Sequence, residues 1–242
     1  MDLQIGHGRF MLGDCLERMR ELPDASVDVV LTDPPYSSGT RREAGKGVRK
    51  AMTRGHRGAE WFGSDSLTAT GFAFLMRECA LEWNRLLKPG GHALVFIDWR
   101  MLPVLAAAIE SADLRHTNVL VWDKTYFGMG SFFRNQHEMV LHFTKGIGRK
   151  AARLDVGSVL QCKPVRGGAH PTEKPVDLLL NLLSVVAYPG DTVLDPFLGS
   201  GATAVAAEKA GLGWIGIERQ GEYGGLAAAR VWDEVARAAK PS

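Results

Sequence analysis

The chain has 242 residues, 45% of them apolar and 23% charged, with 29 Lys/Arg against 27 Asp/Glu and a net charge of +2. These values are ordinary for a soluble globular protein, and the length suits one large α/β domain or two small ones. No apolar run approaches a transmembrane helix. The cysteines Cys15, Cys79 and Cys162 form no C-x-x-C pair, which argues against a disulfide framework or a cysteine zinc site. Residues 1–10 lack the basic flank and apolar core of a signal peptide, so a cytoplasmic protein is expected.

In chain order, residues 9–12 read as a short strand ending at Gly13-Asp14, and 15–22 as a two-turn helix. Val27-Asp28-Val29-Val30-Leu31-Thr32 reads as a buried strand, followed by Asp33-Pro34-Pro35-Tyr36. Residues 37–68 carry many glycines and basic side chains with no apolar period, too long a stretch for an idle connection. Phe72, Leu75, Met76, Cys79, Trp83 and Leu86 recur at helical spacing, and Lys88-Pro89-Gly90-Gly91 turns the chain. A strand over 93–97, a helix over 102–109 and strands over 119–122 and 139–143 follow. A leucine-rich helix covers 175–187, a strand 192–194, a glycine turn 195–201 and a helix 202–210. A strand over 214–217 ends at Glu218, and a helix over 223–239 closes the chain. Alternating strands and helices predict a largely parallel sheet covered on both faces.

The small net charge hides an uneven distribution. Residues 37–60 hold Arg41, Arg42, Lys46, Arg49, Lys50, Arg54 and Arg57 against Glu43 and Glu60; residues 144–170 hold Lys145, Arg149, Lys150, Arg153, Lys163 and Arg166 against Asp155. Two basic segments on an acidic body suggest a polyanion gripped at two places.

Asp33-Pro34-Pro35-Tyr36 is the most informative tetrapeptide. A carboxylate accepts hydrogen bonds from an exocyclic amine, neither proline has an N–H, and the tyrosine offers a stacking face. Such a set suits a flat, amino-bearing ring, although an Asp-Pro turn after a strand can also be purely structural.

The turn Asp195-Pro196-Phe197-Leu198-Gly199-Ser200-Gly201 lies between a strand and a helix, and Glu218 follows the next strand, 17 residues beyond Gly201. Glycines admit a ligand to the backbone, and an acid at the end of the second strand is where dinucleotide-type folds bind ribose hydroxyls. A third glycine is missing, no P-loop Lys-Ser/Thr follows, and Asp195 would repel a pyrophosphate. A nucleoside carrying an amino-acid tail and no phosphates, S-adenosylmethionine, fits these residue types best; no metal is expected.

Together these segments resemble the β-class DNA amino-methyltransferases, which modify adenine N6 or cytosine N4. Asp33-Pro34-Pro35-Tyr36 is similar to their catalytic motif, and the turn from Asp195 to Gly201 to their cofactor loop. His170-Pro171-Thr172-Glu173-Lys174-Pro175, Leu86-Leu87-Lys88-Pro89-Gly90-Gly91 and the block from Trp122 to Glu138 also resemble family segments. The resemblance implies a Rossmann-like methyltransferase sheet, circularly permuted, of seven strands with one antiparallel hairpin at 119–122 and 139–143, within a single domain over residues 1–242. It implies a homodimer, a basic DNA-contacting loop at 37–60 and a short target-recognition region at 144–169.

By the same resemblance, Asp33, Pro34, Pro35 and Tyr36 are catalytic. Glu218 holds the ribose; Asp195, Phe197, Gly199, Ser200, Gly201 and Thr203 line the cofactor; Asp14 and Cys15 meet its adenine. Thr172 and Lys174 meet its methionine carboxylate or shape the pocket there, although a surface lysine at a helix start is an alternative for Lys174. His137-Glu138 reads as a structural pair. Phe127, Phe132 and Phe133 read either as a cap on the base pocket or as core. The Lys/Arg of 37–60, with Arg149, Lys150, Arg153, Lys163 and Arg166, would bind double-stranded DNA.

The expected activity is methyl transfer to N6 of a flipped-out adenine, since Asp at the first motif position leans toward adenine in this family. Cytosine N4 is the alternative. More distant readings are methylation of a protein glutamine or of RNA, a DNA-binding module that has lost catalysis, and a nicotinamide oxidoreductase. The setting would be bacterial or phage restriction-modification.

Overall fold

The computed structural model describes residues 2–35, 68–128, 132–165 and 173–238. Nine strands form one sheet: β1 (Asp2–Ile5), β2 (Gly8–Leu12), β3 (Val27–Thr32), β4 (Leu87–Ile97), β5 (Arg115–Asp123), β6 (His137–Thr144), β7 (Val159–Gln161), β8 (Thr192–Asp195) and β9 (Gly213–Glu218), in the order β1-β2-β9-β8-β3-β4-β6-β5-β7. The five central strands β2, β9, β8, β3 and β4 are mutually parallel. The expected antiparallel pair is present as β5 and β6, with Val119 opposite Leu141 and Val121 opposite Met139. Two strands exceed the expected seven: β1 folds back on β2, and β7 adds to the far edge alongside β5. Both are too short to announce themselves by period.

Among the described residues, six helices cover the sheet: α1 (Cys15–Arg20), α2 (Ala69–Leu86), α3 (Leu102–Glu110), α4 (Val176–Val186), α5 (Ala202–Lys209) and α6 (Gly221–Ala238). They divide between two cores. Leu178, Leu179 and Leu182 of α4, with Ala204, Ala206 and Ala227 from α5 and α6, pack on one face with Val29 and Leu31. Phe72, Met76, Trp83 of α2 and Leu105 and Ile109 of α3 pack on the other with Val30. The strand β3 thus alternates between two apolar layers, so it shows an unbroken apolar run instead of an inside–outside pattern. The expected turn at 88–91 survives as an excursion inside β4: Leu87 pairs with Val27 and His92 with Val29, and Gly90 takes φ +79°.

Direction fixes where the chemistry can collect. The carboxyl ends of β2, β9, β8, β3 and β4 share one edge of the sheet, and the hairpin base formed by Asp123 and His137 lies on that edge too. Open α/β sheets bind ligands outside such ends. No helix among the described residues is long and apolar enough to cross a membrane.

Candidate active site

Three loops converge on Glu218, the last residue of β9. Its main-chain carbonyl accepts from Gly13 N (2.9 Å), and its carboxylate accepts from Gly199 N (2.9 Å) and Gln220 N (2.7 Å). Gly199 has φ +51°, and a side chain built on it would meet only Phe197 O, at 3.9 Å, so the loop leaves open space there. Gly201 differs. With φ +81°, its added Cβ would lie 3.0 Å from Ala227 Cβ, so this glycine admits α6 and not a ligand. Ser200 is buried, and its carbonyl and hydroxyl both lie 3.3 Å from Arg230 Nη1, whose Nη2 reaches Glu173 at 2.8 Å.

Asp195 and Asp33 end neighbouring strands. Asp195 is buried; its Oδ1 accepts from Thr32 Oγ1 (2.6 Å) and Phe197 N (3.0 Å). Burial raises its carboxyl to about 6, although hydrogen bonds from Thr32, Thr203 and the Phe197 amide act in the opposite sense. Thr203 is likewise buried on α5, engaged with that carboxylate and turned away from solvent.

The Asp33 carboxylate holds Lys174 through Oδ2, while its buried Oδ1 has no hydrogen-bond partner among the described residues. Lys174 is itself buried, 3.4 Å from Glu138 Oε2, and its ammonium stands 5.2 Å from the Phe96 ring centre. Glu138 Oε1 in turn receives Lys124. Burial raises the Asp33 carboxyl above the usual range, and the Glu138 charge adds to this while Lys174 opposes it. Burial favours a neutral Lys174, but Asp33 and Glu138 outweigh it and hold the ammonium charged. For Glu138, Lys174 and Lys124 outweigh burial and lower the carboxyl.

Several expectations need correction. Lys174 is not a surface lysine; it is buried and is the counter-ion of Asp33. Glu138, expected to be structural, belongs to the same charge chain. The signal lay in β-pairing: Glu138 faces Trp122 across the hairpin, which sets Lys124 beside it. The Cys15 side chain points into the core, 4.0 Å from Cys79 Sγ, so only its main chain is left for a ligand. Asp14 caps α1, accepting from Leu16 N (3.0 Å) and Glu17 N (3.4 Å).

Arg149 is also reassigned. It binds Asp191 with both guanidinium amines, lies 3.5 Å from Asp28 and donates to Val186 O (2.9 Å). Asp28 and Asp191 stand at the amino ends of β3 and β8, the edge opposite Asp33. Lys150, whose carbonyl accepts from Tyr188, belongs to that edge, and the nearby Arg153 is paired with Asp155. These three cannot share a face with Asp33. Lys163, beyond β7 and beside Asp123, is exposed on the candidate-site edge. Phe132 and Phe133 are 93% and 103% exposed, which removes the core reading for both. Tyr36, Thr172, Arg166, Arg41, Arg42, Lys46, Arg49, Lys50, Arg54 and Arg57 lie outside the described residues. No group of three or more His, Cys, Asp or Glu suited to a metal ion occurs among the described residues.

Comparison with known proteins follows this geometry. A family model described as DNA methylase (N6_N4_Mtase) matches residues 27–150 and 150–228. The protein YubD of Escherichia coli (strain K12) is 33% identical over 216 residues, covering 89% of this chain and 86% of its own. The type II methyltransferase M.HinfI of Haemophilus influenzae is 31% identical over 241 residues, covering 87% of this chain; the chain spans only 64% of that relative. Among solved structures, TTHA0409 of Thermus thermophilus, complexed with S-adenosyl-L-methionine, aligns with a TM-score of 0.70 at 22% identity over 95% of this chain and 96% of its own. PvuII DNA methyltransferase, a cytosine-N4-specific enzyme, aligns with a TM-score of 0.73 at 19% identity over 97% and 93%. At these identities the two structures share the fold of this chain.

Proposed function

The chain belongs to the DNA methylase family, and on that premise we propose that it moves a methyl group from S-adenosylmethionine to the exocyclic N6 amine of an adenine flipped out of duplex DNA. The observation that carries the reading is the pairing of an unpartnered, buried Asp33 Oδ1 with the Glu218-organised glycine loop on one sheet edge.

The residues present fit the cofactor. Glu218 offers a carboxylate for ribose hydroxyls, Gly199 leaves room against the backbone, and the Gly13-Asp14 turn closes the third side. When bound, S-adenosylmethionine supplies an electrophilic methyl group. Everything else falls to the chain. The amine lone pair is delocalised into the ring, so Asp33 Oδ1 and the Pro34 carbonyl accept its two N–H groups and orient the nitrogen toward the methyl group. Lys174 on Oδ2 favours the ionised form of the buried carboxylate, against the burial that disfavours it. Tyr36 stacks on the base, worth roughly 1–3 kcal/mol against the cost of unstacking it.

Both amines present the same pair of N–H groups, so cytosine N4 is the second reading, favoured by the shared fold of the N4-specific PvuII enzyme. The identity of Asp33 supports adenine. We place the enzyme in the cytoplasm as a homodimer on double-stranded DNA, with residues 1–242 forming one methyltransferase domain in the permuted order. The 37–60 segment and Lys163 are its DNA contacts. Incubating the protein with DNA and labelled S-adenosylmethionine, then digesting to nucleosides, tests the reading. N6-methyladenine is expected; N4-methylcytosine overturns the base assignment, absence of labelled base overturns the activity, and wild-type activity in Asp33→Ala overturns the site.

A further inference from the structure

The carboxylate that accepts the target amine does not stand alone, and the arrangement behind it is asymmetric. Lys174 has two carboxylate neighbours: Asp33, to which it donates a hydrogen bond, and Glu138, whose Oε2 lies 3.4 Å away as an ion pair without a hydrogen bond among the described residues. Glu138 is anchored by Lys124 through its other oxygen. The two lysines stand over the Phe96 and Trp122 rings, 5.2 and 4.9 Å from their centres, and those rings pack edge to face at 6.5 Å. The four charges therefore alternate in order of contact, Asp33, Lys174, Glu138, Lys124, beside the Phe96 and Trp122 rings. An ammonium with a single carboxylate neighbour can bridge both of its oxygens. One shared between two carboxylates is drawn away from the first, and here only Asp33 Oδ2 is taken while Oδ1 has no hydrogen-bond partner among the described residues.

We propose that Glu138 is a positioning residue for methyl transfer: as a second carboxylate beside Lys174, it competes with Asp33 for the ammonium, confines it to Oδ2 and leaves Oδ1 as the acceptor for the target amine. Lys124 serves the same end by fixing Glu138. Glu138 touches neither the base nor the cofactor in this scheme; it acts through Lys174. The inference rests on the reading of Asp33 as the amine acceptor.

The test measures kcat, the KM for S-adenosylmethionine and the pH profile of kcat for wild type, Glu138→Gln, Glu138→Asp and Asp33→Ala. Removing the Glu138 charge lets Lys174 collapse onto Asp33, so Glu138→Gln lowers kcat by about 10-fold or more with the KM for S-adenosylmethionine within about 3-fold. It also strips a negative charge from beside both Asp33 and Lys174, with Lys124 and Asp195 the other charges nearby. Both limbs of the profile then move to lower pH, a change that loss of packing alone does not produce. Glu138→Asp restores most of kcat. Should Glu138→Gln fail to fold, Lys124→Gln decides: it lowers kcat and moves the acid limb the other way, to higher pH. An inactive Asp33→Ala beside a Glu138→Gln with kcat within about 2-fold of wild type and unmoved limbs overturns the role of Glu138. An active Asp33→Ala overturns the acceptor reading itself, whatever Glu138 does.

Discussion

Thr32 Oγ1 donates a 2.6 Å hydrogen bond to Asp195 Oδ1, joining the last residue of β3 to the last residue of β8. It locks the strand that delivers Asp33 to the strand that delivers the glycine loop. The two halves of the proposed reaction are thereby held in one frame, and the pH response of that frame can be worked out. The folded protein holds the Asp195 proton more tightly than the unfolded chain, about 6 against 3.8. Its stabilising contribution is therefore complete below the unfolded value and lost as pH rises through about 6. Burial lowers His92 and His142 to about 4, helped by their neighbours His142 and Arg149 for the first and His116 for the second. For these two, stability is lost as pH falls from about 6.5 toward 4. Two histidines outweigh one carboxylate, so the urea midpoint of the wild type rises between those pH values. Asp195→Asn keeps the acceptor for Thr32 and the Phe197 amide. Its rise is steeper, and its plateau near pH 8 sits at or above that of the wild type. A variant slope equal to or shallower than that of the wild type contradicts the assignment.

Arg149 provides a test of the reassigned basic segment. Arg149→Met strands the buried Asp28 and Asp191, which costs on the order of 2–4 kcal/mol of folding stability. DNA affinity, measured where the variant is folded, stays within about 2-fold because the side chain releases no counterion. A large fall in affinity with no thermal shift would return Arg149 to the DNA interface.

Phe132 and Phe133 project from the β5–β6 connection, whose base is tied to Asp33 through Lys124, Glu138 and Lys174. Exposed side chains add little to folding, so Phe132→Ala/Phe133→Ala changes stability by about 0.5 kcal/mol or less. If the pair stacks on DNA bases, kcat/KM for DNA falls by about 5- to 100-fold while S-adenosylmethionine binding by calorimetry is unchanged. Wild-type kcat/KM in the double variant removes this contact.

The two loop glycines separate by the same kind of measurement. Both adopt left-handed backbone, which costs a side chain roughly 1–2 kcal/mol. Gly201→Ala adds a clash with Ala227 and loses more stability than Gly199→Ala. Gly199→Ala places its methyl group in the open space beside Glu218, and the larger loss of S-adenosylmethionine affinity is expected there. Equal affinity losses in the two variants would argue against a cofactor on the Gly199 side.

What the amino-acid order determined by itself was local. Apolar periods marked most strands and helices, and turn residues followed strand ends, so Asp33-Pro34-Pro35, Gly199-Ser200-Gly201 and Glu218 were legible as a set of chemistry-bearing turns. Each depends on residues within a few positions of itself, where side-chain period and turn chemistry carry the signal. Only the tertiary structure decided who partners whom. Lys174 meets Asp33 across 141 positions, Arg149 meets Asp191 across 42, and Thr32 meets Asp195 across 163. Those distances close because the strand order brings β8 beside β3 and swings β6 back along β4. A lysine at a helix start can look like solvated surface in the sequence, and a His-Glu pair opening a strand looks merely structural. Burial between neighbouring strand ends turns them into the counter-ions of the site, because a charge removed from water persists only where an opposite charge meets it.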